Sequence, residues 1–210
     1  MPITEAQRAL RRKRLGSSDV AALFGMDPYK TAYDVWLDKT GQLEDDDGNG
    51  AAGEAAEAGN LFEGGVLTWA ARQLGPLTRN QYRSNPALHL GANIDAIVDQ
   101  TRCPVEGKTG GLFGPLRDAW GEPGTDDVPE RVIIQCHVHL VCAGDTMTQG
   151  PKVCHVPTFL GGRGFGMFHV PTNDDLCAMI GETGDVLGET RPAGRAADER
   201  VCQLGRDQTG

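Results

Sequence analysis

The stretch ANIDAIVDQTRCPVEGKTG, residues 92–110, decides how this chain reads. Leu88 to Val98 and Cys103 to Lys108 are short, partly alternating segments with a turn between them, and they read as paired strands. A side-chain period of two puts Glu106 and Lys108 on one face. A hairpin returning past Asp95 brings that carboxylate beside Glu106. Two carboxylates aimed at one point repel unless a cation sits between them. Hard oxygen ligands with water in the remaining positions suit Mg²⁺, with Mn²⁺ as a substitute. A lysine beside such a cation can hold or help deprotonate a water and neutralise charge on a phosphate. These are the requirements of metal-assisted phosphodiester hydrolysis. An acid followed by E-x-K also describes a surface hairpin laced by cross-strand salt bridges, and spacing alone leaves both readings open.

Working outward, Thr78 to Ser84 adds a third strand, preceded by a helix over Leu61 to Leu74 that Gly75-Pro76 stops. Residues 44–59, EDDDGNGAAGEAAEAG, read as an acidic linker. Thr31 caps a helix with Tyr33, Trp36 and Leu37 on its apolar face, and Gly41 closes it. Ser17-Ser18-Asp19 opens a shorter helix, and the first 14 residues read as a basic one. Downstream, residues 110–130 form a long Gly-, Pro- and Asp-rich loop. A helix over Arg131 to Ala143 follows, then strands over Val153 to Phe159 and Gly166 to Val170, and a helix over Asp174 to Val186. This order predicts an α/β layer around a mixed sheet. Residues 1–188 are expected to form one domain, and 189–210, which lack a periodic face, a flexible tail.

A chain of 210 residues with 39% apolar residues has material for one sizeable core. No apolar run is long enough to span a membrane, and MPITEAQRALRRKR lacks a secretory leader, so a cytoplasmic location is expected. A net charge of −9 argues against a protein that coats nucleic acid through bulk charge. It leaves room for one that holds DNA in a narrow, locally basic channel. The six cysteines are expected to be reduced thiols.

The neighbouring segments add weight to the metal reading. RLGSSDVAALFGMDPYKTAYDVWLDKTG (14–41), GNLFEGGVL (59–67), GANIDAIVD (91–99), VEGKTG (105–110) and VPERVIIQCHVHLVCAG (128–144) together resemble the YqaJ-type viral recombinases. These belong with the lambda-exonuclease-like enzymes of the PD-(D/E)XK nuclease superfamily. The resemblance continues through HVPTFLGGRGFGMFHVPTNDDL (155–176). It implies a restriction-endonuclease-like core, a mixed central sheet flanked by helices. By that resemblance Asp95 and Glu106 are metal carboxylates, with the carbonyl of Gly107 as a further ligand. Lys108 would act on the water nucleophile, and Gln135 would orient that water or the scissile phosphate. Glu63 would be an additional acid, and Arg14 and Ser18 would contact a terminal 5′-phosphate. Position 107 is usually apolar in that family, and a glycine stands there in this chain.

The resemblance further implies a Mg²⁺-dependent exonuclease that degrades the 5′-ended strand of linear double-stranded DNA and leaves 3′ overhangs. Its setting would be a bacterial host cytoplasm, in phage or prophage recombination. The partners implied are duplex DNA ends and a single-strand annealing protein, and the assembly implied is a homotrimeric ring. The alternatives are a structure-specific endonuclease of the same superfamily and a catalytically inactive DNA-end-binding protein.

Other suggestive residues have plainer readings. Cys136, His137, His139 and Cys142 point in different directions around a helix, so no zinc site is expected. The late cysteines, Cys154, Cys177 and Cys202, are too scattered for an iron–sulfur cluster. GGRGFG (161–166) reads as a hairpin turn, and Trp36 and Trp69 as core. Trp120, in the long loop, has the better claim to touch DNA.

Overall fold

The computed structural model describes residues 13–42, 51–110, 120–144 and 152–189. Most of the expected basic helix, the 44–50 portion of the acidic linker, residues 111–119 of the long loop and residues 190–210 of the expected tail lie outside the described residues.

Helix α1 (Ser17–Leu23) starts after Gly16, whose amide donates to Oδ2 of Asp19 at 2.8 Å. Helix α2 (Ala32–Thr40) begins with a reciprocal cap. The Thr31 hydroxyl accepts from the Asp34 amide at 3.2 Å, and the Asp34 carboxylate accepts from the Thr31 amide at 2.8 Å. Gly41 ends it with φ of 74°, a conformation glycine adopts without steric cost. Val35 is the residue α2 buries, while Tyr33, expected on the apolar face, is exposed and stacks on Trp36.

Helix α3 (Ala51–Leu74) is longer than its sequence suggests. The linker expected over 44–59 is helical from Ala51 onward, because Ala51, Ala52, Ala55, Ala56 and Ala58 outweigh the two glycines in propensity. Strand β1 (Leu77–Asn85) and a 3₁₀ turn (Pro86–Leu88) lead into β2 (Leu90–Val98), which runs antiparallel to β1 with Tyr82 opposite Asn93.

The segment expected as one strand over 103–108 is two, β3 (Pro104–Val105) and β4 (Lys108–Gly110). Both lie parallel to β5 (Val153–Leu160) in one register, Val105 opposite His155 and Lys108 opposite Thr158. Antiparallel pairing with β2 stops at Ala96 opposite Val105. Strand β6 (Gly164–Pro171) returns along the other edge of β5 after the turn at 161–163, the hairpin expected of GGRGFG. The result is a mixed sheet.

Helix α4 (Glu130–Ala143) lies across this sheet and is buried along nearly its whole length. Ile134, Val138 and Cys142 form one stripe, packed with Val20 and Ala21 of α1 and with Leu90, Ala92 and Ile94 of β2. Val132, Cys136 and Leu140 form a second, against Cys154 and Val156 of β5 and Phe168 and Val170 of β6. At 3.6 residues per turn, Gln135 and His139 fall between the two stripes. Helix α3 contributes Leu67 to a third cluster with Ala96, Val98, Cys103 and Val105. Helix α5 (Asp174–Glu189) completes the order. Trp120 packs against Phe168 at the edge of the second cluster, with ring centroids 5.3 Å apart.

Candidate active site

The carboxylates come together where the sheet divides. Asp95 is half-buried on β2, and Glu106 is buried in the break between β3 and β4. The Gly107 amide, which no longer faces a ladder partner on β2, donates to Oδ2 of Asp95 at 2.8 Å. The Glu106 amide donates to the His155 carbonyl at 2.9 Å, which ties the break to β5. Lys108 places Nζ 2.5 Å from Oε1 of Glu106, as their common face requires.

The site is crowded with negative charge. Burial, then Glu106, then Glu63 push the Asp95 carboxyl up to about 8. Burial also works against charge on Glu106, but Lys108 and His139 overcome it and hold that carboxyl below the usual range. The two carboxyl groups are close enough that each shifts the proton affinity of the other. Lys108 is likewise opposed by burial, yet Glu106 and Asp95 hold its ammonium above the ordinary lysine range.

Glu63 reaches the same place from α3. A methyl group added to Gly107 would lie 3.6 Å from Oδ2 of Asp95 and 3.7 Å from Cγ of Glu63. Gln135 is buried on α4, and its Oε1 finds no hydrogen-bond partner among the described residues. His139, one turn on, has Nδ1 3.5 Å from Oε2 of Glu106. Residue spacing gave no signal for that approach, which depends on how α4 lies against the β3–β4 break. The other members of the cysteine and histidine group serve the core. His137 is used on both ring nitrogens, by the Ile133 carbonyl at 2.8 Å and the Asn173 amide at 3.0 Å. Cys136 and Cys142 are buried thiols.

Among the described residues, no three His, Cys, Asp or Glu side chains enclose a point as a closed metal cage would. The donor set fits a more open kind of site. Two adjoining carboxyl groups, with a buried amide oxygen that lacks a partner among the described residues one helical turn before His139, suit a small, hard cation that keeps several waters.

Arg14 stands apart from this group. Its Nη1 donates to the Tyr82 hydroxyl at 2.9 Å. Both side chains lie against Gly91, where an added methyl group would meet the Tyr82 hydroxyl at 2.6 Å and Cδ of Arg14 at 3.2 Å. Glycine at 91 makes room for that pair. Gly91, Asn93 and Asp95 alternate onto one side of β2, so Gly91 is about 13 Å along the strand from Asp95. Ser18 is in the first turn of α1, which the Leu15 segment joins to the start of β2 through Leu15 beside Leu90. Asp19, in the same turn, is buried under Lys30 and Lys39, each 2.6 Å away.

The model of the YqaJ-like viral recombinase domain matches residues 8–146 of the chain, a span that holds Asp95, Glu106, Lys108 and Gln135. The chain belongs to this family. It is 27% identical over 173 residues to the uncharacterized protein YqaJ of Bacillus subtilis strain 168, covering 81% of this chain. It spans 50% of the length of that curated relative.

Among solved structures, this YqaJ-family chain is similar to an alkaline exonuclease from Laribacter hongkongensis. The TM-score is 0.60 at 16% identity, with 97% of each chain covered. The same exonuclease in complex with dAMP gives a TM-score of 0.62 at 16% identity, over 97% of each chain. A phage-related exonuclease from Haemophilus somnus 129PT gives 0.54 at 12% identity, over 94% of this chain and 99% of that one. These likenesses give the fold, which is the restriction-endonuclease-like one with a mixed sheet flanked by helices. No helix among the described residues is long and apolar enough to cross a membrane.

Proposed function

We propose that the chain is a Mg²⁺-dependent deoxyribonuclease that degrades the 5′-ended strand of linear duplex DNA and leaves a 3′ overhang. The observation that carries this reading is the meeting of Asp95 and Glu106 beside Lys108, at the division of the sheet in a YqaJ-family chain. The similar exonucleases and the family's recombinase description support the class of reaction. Mn²⁺ would substitute for Mg²⁺.

Asp95, Glu106 and the Gly107 carbonyl would hold the cation, with Glu63 as the additional acid. When bound, the cation would supply Lewis-acid stabilisation of negative charge on the phosphate. The chain's own residues account for the remaining requirements. Lys108 carries its proton firmly while paired to Glu106, so in that pairing it orients a water or phosphate oxygen by donation rather than accepting a proton. Gln135 can present its amide to the water or to the scissile phosphate. Arg14, held by Tyr82, would take a terminal 5′-phosphate with Ser18, and a guanidinium suits a phosphate dianion through paired donors.

A ring of three chains around the duplex would let a protein of net charge −9 retain DNA by topology rather than by a basic exterior. The 3′ overhang would pass to a single-strand annealing partner in a bacterial host cytoplasm.

The test incubates linear, nicked and covalently closed duplexes, with and without 5′-phosphate, in Mg²⁺ or EDTA. Mg²⁺-dependent loss of the 5′-ended strand from linear duplex alone is expected. Cleavage of closed circles at the linear rate would make the protein an endonuclease of the same fold. Tight end binding without cleavage would leave it a DNA-end-binding protein. Native mass spectrometry is expected to show a trimer, and an active strict monomer would sink the ring.

A further inference from the structure

We propose that His139 is a positioning residue that fixes the orientation of the Glu106 carboxylate through its Nδ1. This rests on the reading of Glu106 as a cation ligand. His139 is wholly buried, yet neither ring nitrogen has a hydrogen-bond partner among the described residues. A buried imidazole without partners is costly, and an aliphatic side chain would fill that position on α4 at less expense.

Oε2 of Glu106 lies 3.5 Å from Nδ1. The other oxygen of that carboxylate is held by Lys108. Glu106 therefore lies between an ammonium on its own segment, which holds one oxygen, and an imidazole on the helix across from it, which approaches the other. Gln135 lies one helical turn before His139, and its buried Oε1 is also without a partner. The stripe of α4 between its two apolar faces therefore presents two unpartnered polar side chains to the divided edge of the sheet. His137, two residues before, has both nitrogens engaged in the core, so the contrast belongs to position 139 and not to histidines on this helix in general.

A ligating carboxylate needs its rotation fixed before the ion arrives, and neighbours that donate to it set metal affinity without touching the metal. Lys108 alone leaves Glu106 free to swing about the Oε1 contact. The imidazole edge removes that freedom.

The test is Mn²⁺ binding to the full chain without DNA, by calorimetry, together with metal-free thermal unfolding. His139→Leu and His139→Met are expected to weaken Mn²⁺ binding by about 10- to 100-fold, with metal-free melting unchanged or raised. His139→Gln, whose amide can donate in place of Nδ1, is expected to recover most of the affinity. Leu and Met variants that bind Mn²⁺ within twofold of wild type would overturn the proposal. A folded Gln variant as weak as the Met variant would also overturn it, since volume rather than donation would then matter. Wild type that binds no Mn²⁺ is a different failure, which removes the metal role of Glu106 itself.

Discussion

Gly107, two residues past Val105, gives its amide to the side chain of Asp95, one residue before Ala96, at 2.8 Å, just beyond the last β2–β3 pair. A carboxylate thus replaces a backbone carbonyl at the point where the ladder ends. That substitution keeps a buried amide satisfied while the strands separate, and it points Asp95 toward Glu106.

Asp95→Asn is expected to abolish Mg²⁺-dependent cleavage and to stabilise the metal-free protein at alkaline pH. The folded carboxyl lies near 8, raised from 3.8 by burial, Glu106 and Glu63. A raised acid contributes stability that is full below about pH 4 and lost as pH rises through about 8. Asn stays neutral and keeps an oxygen for Gly107. Its metal-free melting temperature should exceed that of wild type at pH 9 by on the order of 5 °C, and the difference should vanish near pH 4. Wild-type cleavage rates in this variant would refute the site.

Lys108→Ala should lower the single-turnover rate by about 10²-fold or more, with DNA binding changed much less. Rapid-quench kinetics set against equilibrium binding would separate these effects. A loss confined to DNA affinity would make Lys108 a phosphate anchor.

Gly107→Ala should raise stability by about 0.4–1 kcal/mol, because the unfolded chain loses freedom. The added methyl group meets nothing nearer than 3.6 Å. Urea unfolding without metal provides the measurement, and destabilisation would mean that Asp95 or Leu67 cannot accept the contact.

Arg14→Ala should reduce the preference for 5′-phosphorylated over 5′-hydroxyl duplex by about tenfold or more, since a hydrogen bond to a charged group is worth roughly 1.5–3 kcal/mol. Tyr82→Phe, which removes the hydroxyl that holds Nη1, should give a smaller loss in the same direction. Digestion rates on the paired substrates would show it, and an unchanged ratio in both variants would dissociate Arg14 from end recognition.

Acid stability should depend on His155 and His169, whose Nδ1 atoms are 2.8 Å apart. Burial and then His169 press His155 from 6.5 to about 4, and burial lowers His169 as well. A depressed histidine contributes stability present above its unfolded value and lost as pH falls through its folded one. Melting temperature should therefore decline from near pH 6.5 to near pH 4, and His155→Asn should flatten that decline. An equally steep decline in the variant would assign it to other groups.

Much of this could be read in the residues themselves where the cause is local. The Thr31 cap, Gly41 and the E-x-K alternation act over a few positions, and each was legible. The rest depends on contacts between distant segments. The break after Val105 was hidden because it depends on the Asp95 side chain, twelve residues before Gly107, taking the amide where the ladder ends. The early start of α3 was hidden because acidic and glycine residues obscured its alanines. Tyr82 beside Arg14 and His139 beside Glu106 follow from how β1 and α4 pack, which no spacing encodes.

The register of β3 and β4 against β5 is unbroken, whereas β2 pairs with β3 at Ala96 and Ile97 and parts from it on the Asp95 side of that pairing. Mechanically, the site is a pair of jaws. Glu106 and Lys108 ride together on one jaw and Asp95 on the other, so flexing of the sheet alters the Asp95–Glu106 gap while the Glu106–Lys108 spacing is preserved. The Gly107 amide bridges the jaws, and its exchange with deuterated solvent would report their opening at a single position.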